Sequence, residues 1–443
     1  MAIFKAYDIR GKYPKEIDEN LYYKIGNSVK KFEGVKKVVV GMDMRDSSPS
    51  LKDSFVKGLR DSGINVIDID LASTPMVYQA SHDLDVDMGF VITASHNSKE
   101  FNGMKICKKN AYPVGWDNGI SMLKDSCENF EEFICDNRGE VTKILNYKDK
   151  YKETINSFVD FDRKLKVVID CGNGMAGLVD NEILKKHLDI IELYPELDGN
   201  FPNHEANPLK EETLEDLKKK VVETKADLGF AFDGDADRIG FVDEKGNFIP
   251  ADIVCAYFID NFISKFSQEQ NYASDVRSTK IIKELVESHN KTFFPSRIGH
   301  TLVKKMMIEN NIFFSGELSG HFYFKFSDNT RYDSAIRAGI EFINFLSKQD
   351  KPFSEIATKY KKYFHSPEIN FEISDKEGKI KEIETEFTDA KIDKTDGITI
   401  DYADWWFNVR ASNTEDILRL NFEAKTEDLY NQKIGEIKFF LNK

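Results

Sequence analysis

The chain has 443 residues, 41% hydrophobic and 31% charged, the balance of a globular chain of two to four domains. Its formal net charge of −14 argues against nucleic acid or an anionic membrane as the main partner, although a local cluster of basic residues can still receive a small anion. No apolar run is long enough to span a bilayer, the first residues lack a signal-peptide core, and the five cysteines show no C-x-x-C spacing; reduced thiols in a cytoplasmic protein are expected.

In chain order, Val38, Val39 and Val40 predict a strand. Leu51, Phe55, Val56 and Leu59 make a helical stripe ending at Gly63, and residues 64–69 predict the next strand, a β-α-β unit. A looser pattern then recurs. A helix near 76–83 leads to a strand at 87–92 and the loop Thr93-Ala-Ser-His-Asn97. A helix near 212–224 leads to a strand at 228–232 and Asp233-Gly-Asp-Ala-Asp-Arg238. A helix near 301–310 leads to a strand at 312–315 and Gly316-Glu-Leu-Ser-Gly-His321. This predicts three topologically similar α/β domains, each presenting a polar loop at a strand end, where α/β sheets place their ligands. From about residue 362, strands at 368–373, 397–402 and 405–409 with few helices between them predict a smaller α+β domain. The expected boundaries give domains at 1–145, 146–246, 247–361 and 362–443.

The loops carry the chemistry. Ser95 is a hydroxyl on a short polar loop after a strand, a placement suited to carrying a phosphoryl group; the same residues also suit a plain turn or helix cap. Asp233, Asp235 and Asp237 would repel one another without a cation, and oxygen-only ligation suits Mg²⁺, a solvated acidic turn being the plain alternative. An EF-hand is disfavoured because Arg238 stands sixth, where that loop needs glycine, and because a strand precedes it. Arg238 can pair with a phosphate from the same loop. Arg410-Ala-Ser-Asn-Thr-Glu415 offers a guanidinium fork and hydroxyls for a phosphate dianion, or a strand-to-helix turn with Ser412 and Glu415 as a capping box. Glu317 and Ser319 suit sugar hydroxyls, and His321 can add a hydrogen bond or shuttle a proton; taken alone, the glycine-flanked loop reads more simply as a plain turn.

The four loops, in this order, resemble the α-D-phosphohexomutases, most closely the bacterial phosphomannomutase/phosphoglucomutase group. The resemblance runs over nearly the whole chain. It includes Phe4-Lys-Ala-Tyr-Asp-Ile-Arg-Gly11, Phe101-Asn-Gly-Met-Lys105, Asp170-Cys-Gly-Asn-Gly-Met-Ala-Gly177, Asp198-Gly-Asn-Phe-Pro-Asn203 and Gly299-His300. It implies three α/β domains and a C-terminal TATA-box-binding-protein-like domain around a central cleft. The family's phosphoserine falls on Ser95, and its Mg²⁺ ligands on Ser95 through the phosphate, Asp233, Asp235 and Asp237. Substrate contacts fall on Tyr7, Arg277, His300, Glu317, Ser319, His321, Arg410, Ser412, Asn413 and Thr414. The implied reaction passes through a hexose 1,6-bisphosphate that turns end for end, the substrates being hexose phosphates. Lys105 and His321 are the favoured acid and base, Lys105 needing burial or neighbouring cations to lose its proton; Arg10 and Arg238 are expected to bind phosphate. A monomer or weak homodimer is expected, with neither nucleic acid nor membrane as partner.

Ser98 and Asp416 stand where the serine and phosphate loops usually have proline, and Ala236 replaces a frequent glycine. Asn413 favours a plain hexose, since glucosamine mutases usually have glycine there. Residues 93–120 resemble phosphomannomutases that supply GDP-mannose. The reading is therefore interconversion of mannose 6-phosphate and mannose 1-phosphate. A phosphoglucomutase or dual-specificity enzyme is the alternative, and a glucosamine mutase, a Mg²⁺-dependent phosphatase or a non-catalytic sensor the more distant rivals.

Overall fold

Strand Lys37–Met42 is followed by helix Ser48–Asp61 and strand Asn65–Leu71, then by helix Thr74–Asp83 and strand Met88–Ile92. The three strands pair in parallel, with Lys37–Met42 in the middle. The chain then reverses: strand Phe101–Lys108 returns antiparallel to Met88–Ile92, and strand Ile9–Lys12 pairs antiparallel on its far side. Short strands Tyr112–Pro113 and Val141–Lys143 complete a seven-stranded sheet.

The computed structural model describes residues 3–412 and 417–442. The chain divides into two compact units, one of residues 1–249, 299–310 and 319–353, the other of 250–298, 311–318 and 354–443. The first unit holds the seven-stranded sheet and a five-stranded one. In the latter, Lys166–Asp170 pairs in parallel with Asp189–Leu193 and Leu228–Phe232, and Ile239–Asp243 and Phe248–Ile249 follow antiparallel. The hairpin Phe322–Ser327 with Thr330–Asp333 also belongs to this unit. In the second unit, strand Asn271–Asp275 lies in parallel between Thr292–Ser296 and Phe314–Gly316.

The repeated local plan is legible in the burial. Strands Met88–Ile92, Leu228–Phe232 and Phe314–Gly316 are buried at every position, as a strand covered on both faces must be. Each ends in one of the polar loops; the first two loops lead into antiparallel neighbours, Phe101–Lys108 and Ile239–Asp243, and the third into strand Phe322–Ser327. The third of these strands starts at Phe314, two residues later than expected. Asn311 at φ +47° spends the intervening residues on a turn after helix His300–Glu309.

The C-terminal part, in the second unit, is a six-stranded antiparallel sheet of Phe364–His365, Ile417–Ala424, Trp405–Ala411, Ile398–Asp401 and Lys391–Asp393, with Ile369–Glu372 also on Ile417–Ala424. Helices Lys376–Glu386 and Glu427–Leu441 supply Ile383, Ile434, Ile437 and Leu441 to the core beneath it. It contains more helix than the sequence suggested, because Lys376–Glu386 fully buries only Ile383 and so has almost no apolar stripe. No helix among the described residues is long and apolar enough to cross a membrane.

Candidate active site

Ser95 is the third residue beyond its strand. Its backbone N–H donates to Thr93 Oγ1 at 2.9 Å, a hydroxyl turn that holds Ser95 at φ +52°. The side chain is buried, and its Oγ donates to Asp233 Oδ2 at 2.9 Å and lies 3.2 Å from His96 Nδ1. Only glycine fits opposite: a Cβ on Gly234 would lie 2.3 Å from the Ser95 carbonyl oxygen. Burial, with Arg238 and Arg10 nearby, pushes the His96 imidazole well below its ordinary value and leaves it neutral. Arg10, from strand Ile9–Lys12, donates to Asn97 Oδ1 of the serine loop and to Asp8 Oδ2 at 2.6 Å.

The three aspartates are fully buried, with carboxylate oxygens within 4.8 Å of one another. Asp233 Oδ1 accepts from the N–H groups of Asp237 and Arg238, each at 3.0 Å, which folds the loop back on itself. Asp235 Oδ2 accepts from Thr74 Oγ1 and from Lys105 Nζ, each at 2.6 Å, and Lys105 also bonds Asp237. Asp235 Oδ1 and Asp237 Oδ1 are buried with no hydrogen-bond partner. Burial and then the other two carboxylates push Asp233 well above the usual carboxylate range. Burial would do the same to Asp235, but Lys105 pulls it below that range. A buried, oxygen-only cluster with two orphaned acceptors fits a hard divalent cation, with Lys105 the only ammonium bonded to it among the described residues.

Lys105 meets the burial condition for a basic lysine, yet its neighbours are anions. Burial favours the neutral amine, and Asp235, Asp237 and Asp233 outweigh it, holding the ammonium above its ordinary value.

His321 is tied to the same loop. Arg238 Nε donates to His321 Nε2 at 2.9 Å, so the ring proton sits on Nδ1, which lies 2.9 Å from Asp333 Oδ2 and 3.7 Å from Asp237 Oδ1. Asp333 is also 3.2 Å from Lys304 Nζ. The His300 ring lies 6.3 Å from that of His321 and 6.2 Å from that of Tyr7, and neither of its nitrogens has a hydrogen-bond partner. Burial and then Lys304 hold His300 well below its ordinary value. Ser319 is half-buried in the same unit.

The second unit groups other expected residues. Arg277 Nη2 donates to Asp275 Oδ2 at 2.6 Å, and Leu318 N donates to the same oxygen at 3.0 Å, which anchors the loop that carries the buried Glu317. Burial favours a neutral Asp275, but Arg277 holds its carboxyl below the usual range. Glu368 gathers arginines: Arg410 at 2.8 Å, Arg419 at 3.0 Å and Arg277 at 3.7 Å. Arg410 and Ala411 belong to strand Trp405–Ala411, longer than expected, and Ser412 N donates to Ile417 O at 3.0 Å. Asn413, Thr414 and Asp416 lie outside the described residues.

Three residues of these arrangements were not expected from the sequence: Thr74, Asp333 and Glu368. Thr74 had a signal, since Ser73 before Pro75 marks a helix start, and Ser73 does accept from Met76 N. The others sit in stretches with no distinctive motif.

Residues 1–129, 146–246 and 250–363 match the phosphoglucomutase/phosphomannomutase alpha/beta/alpha domains I, II and III, and residues 368–434 match the C-terminal domain of the same family. The phosphomannomutase of Methanocaldococcus jannaschii is 37% identical, the alignment covering 100% of this chain and 98% of the relative. The phosphomannomutase/phosphoglucomutase of Pseudomonas putida is 36% identical over 98% of this chain and 94% of its own. A crystal structure of a phosphoglucomutase/phosphomannomutase family protein from Burkholderia thailandensis superposes with a TM-score of 0.91 at 30% identity, covering 99% of this chain and 97% of that one. The chain belongs to the phosphoglucomutase/phosphomannomutase family, the α-D-phosphohexomutases.

Proposed function

We propose that this phosphohexomutase interconverts mannose 6-phosphate and mannose 1-phosphate through a phosphoryl group stored on Ser95. One observation carries the reading: the buried Ser95 Oγ bonds a carboxylate of the three-aspartate cluster at 2.9 Å. Asp233, Asp235 and Asp237, with a phosphoryl oxygen on Ser95, would hold Mg²⁺, which when bound neutralises phosphoryl oxygens and polarises the bond to the leaving oxygen.

In the forward step a sugar hydroxyl attacks the Ser95 phosphorus. The new O–P bond forms as the Ser95 Oγ–P bond breaks, and a hexose 1,6-bisphosphate results. The bisphosphate turns, and Ser95 Oγ takes back the other phosphoryl group. Lys105 supplies positive charge beside the transferring group. The proton of the attacking hydroxyl passes to His321 Nε2, which gives up its hydrogen bond from Arg238 to take it, and returns to the Ser95 oxygen as that oxygen leaves phosphorus. Arg10 and Arg238 bind phosphoryl oxygens. Recognition of sugar hydroxyls falls to Glu317 and Ser319. Binding of substrate phosphate falls to Arg277, Arg410 and Ser412 with Asn413 and Thr414, and Tyr7 and His300 complete the contacts.

The name of the relative from Methanocaldococcus jannaschii supports mannose, and the double name of the Pseudomonas putida relative supports a second reading in which glucose is also accepted. Side-by-side assays with mannose 1-phosphate, glucose 1-phosphate and glucosamine 1-phosphate, each with Mg²⁺ and a trace of sugar bisphosphate, decide between them. Ser95→Ala is expected to abolish turnover with all of them while circular dichroism stays that of the wild type. Full activity in that variant overturns the mechanism.

A further inference from the structure

We infer that Arg45 and Phe201 are positioning residues that lock the Ser95 loop for phosphoryl transfer, an inference that rests on Ser95 being the phosphoryl carrier. The Arg45 guanidinium is almost completely buried and spends every N–H it has. Nη2 donates to the carbonyl oxygens of Ser95 at 2.9 Å and Asn97 at 2.6 Å. Nη1 donates to those of Ser98 at 2.8 Å and Phe101 at 3.0 Å, and Nε donates to Asp43 Oδ2 at 3.1 Å. One rigid cation therefore ties three carbonyls of the serine loop to that of Phe101, at the start of the following strand. Lysine, a point charge with three donors, cannot reproduce that fork.

This matters for chemistry because Ser95 has φ +52°, a conformation that costs about 1 kcal/mol or more in a residue with a Cβ. A loop free to relax would leave it. The loop also lacks the proline common in the family, having Ser98 there, and the Ser98 carbonyl is one of the four that Arg45 holds. Carbonyl oxygens committed to Arg45 are kept from opposing the oxygens of a phosphoryl group.

The motif Asp198-Gly-Asn-Phe-Pro-Asn203, which the mechanism leaves without a role, gains one here. The Phe201 ring lies 5.0 Å from the centre of the Arg45 guanidinium, covering it. Gly199 permits this approach, since a Cβ there would lie 2.6 Å from Arg45 Cα. The motif is anchored in turn by Asn203 Nδ2 donating to Asn173 Oδ1 at 2.8 Å. Arg45 is thus held between Asp43 on one side and Phe201 on the other.

The test compares wild type, Arg45→Lys, Phe201→Leu and Arg45→Ala, all phosphorylated beforehand with sugar bisphosphate. Three quantities are read: kcat, KM for mannose 1-phosphate, and the rate at which the Ser95 phosphoryl group is lost in sugar-free buffer, followed by intact mass. Arg45→Lys is expected to lower kcat roughly 100-fold with KM changed less than about threefold, because misplacement of the reacting group, not substrate binding, is what changes. Phe201→Leu keeps every Arg45 hydrogen bond and is expected to lower kcat roughly tenfold. Both should lose the phosphoryl group at an altered rate. Added guanidinium ion, below denaturing concentration, should partly restore kcat of Arg45→Ala, and methylammonium should not. Wild-type kcat and phosphoryl lifetime in both Arg45→Lys and Phe201→Leu overturn the inference. So does an Arg45→Ala loss that follows the unfolded fraction and ignores guanidinium. If the Arg45 variants do not fold, Phe201→Leu decides alone. A wild type that turns over with no phosphoryl group ever on Ser95 overturns the mutase mechanism instead, which keeps the two failures apart.

Discussion

Asp235 shows how much one side chain is asked to do. One of its oxygens accepts from Thr74 and Lys105, while the other is buried without a partner. The first job is structural and the second invites a cation, so they can be separated. Asp235→Asn keeps an acceptor for Thr74 and Lys105 but removes one charge from the cluster. The Mg²⁺ concentration for half-maximal turnover should rise roughly tenfold or more, since affinity for hard cations follows ligand charge. A Mg²⁺ titration of activity checks this, and an unchanged midpoint removes Asp235 from the metal site. Asp333 poses a sharper question, because it faces both His321 and the buried Lys304. Asp333→Asn leaves Lys304 without its carboxylate, which should cost about 3–5 kcal/mol by urea denaturation.

At the scale of elements, the serine loop is carried by a sheet whose outer helices meet without side chains between them. Helices Glu19–Ser28 and Ser48–Asp61 cross where a Cβ on Gly26 would lie 2.2 Å from Phe55 O, and one on Gly58 2.2 Å from Tyr23 O. Helix propensity alone favours Gly58→Ala by about 1 kcal/mol. The clash is with backbone, which cannot swing aside, so overpacking should win and the variant should lose about 1–3 kcal/mol. Denaturant midpoints of the two proteins decide the sign. The same contrast explains what was legible in the sequence. Periodicity located strands Lys37–Met42, Met88–Ile92 and Leu228–Phe232 because continuous burial demands apolar runs. Polar loops after three of the strands were visible as composition. Helix Lys376–Glu386 was not, having one fully buried residue. Nor were Arg45 and Asp333: a buried ion pair looks, in sequence, like any surface charge, and only the fold supplies its partners. Thr74 stood in an ordinary capping motif, whose link to Asp235 is a tertiary fact.

For the whole chain, a formal charge of −14 coexists with local pairings that set its response to pH. In the second unit, His365 Nδ1 lies 3.3 Å from Asp252 Oδ2, joining strand Phe364–His365 to helix Ala251–Lys265. Burial would lower the imidazole pKa, but Asp252 and then Glu423 outweigh it and raise it above the ordinary 6.5. The folded protein therefore binds this proton more tightly than the unfolded chain does. The stabilisation is complete below about pH 6.5, where both states are protonated, and it fades as pH rises through the higher folded value. Asp252 has other donors, with Thr279 N at 3.1 Å and its neighbour Ile253 N at 2.9 Å, so it stays satisfied when His365 is replaced. His365→Gln should consequently flatten the pH dependence of stability without unfolding the unit. Urea midpoints of wild type and variant, measured from about pH 6 to about pH 9, should converge as pH rises, the wild type losing its advantage over that range. Parallel curves for the two proteins would remove the His365–Asp252 pair from the account of stability. A variant curve steeper than the wild type would mean that the imidazole is held neutral in the fold, the opposite of what its carboxylate neighbours impose.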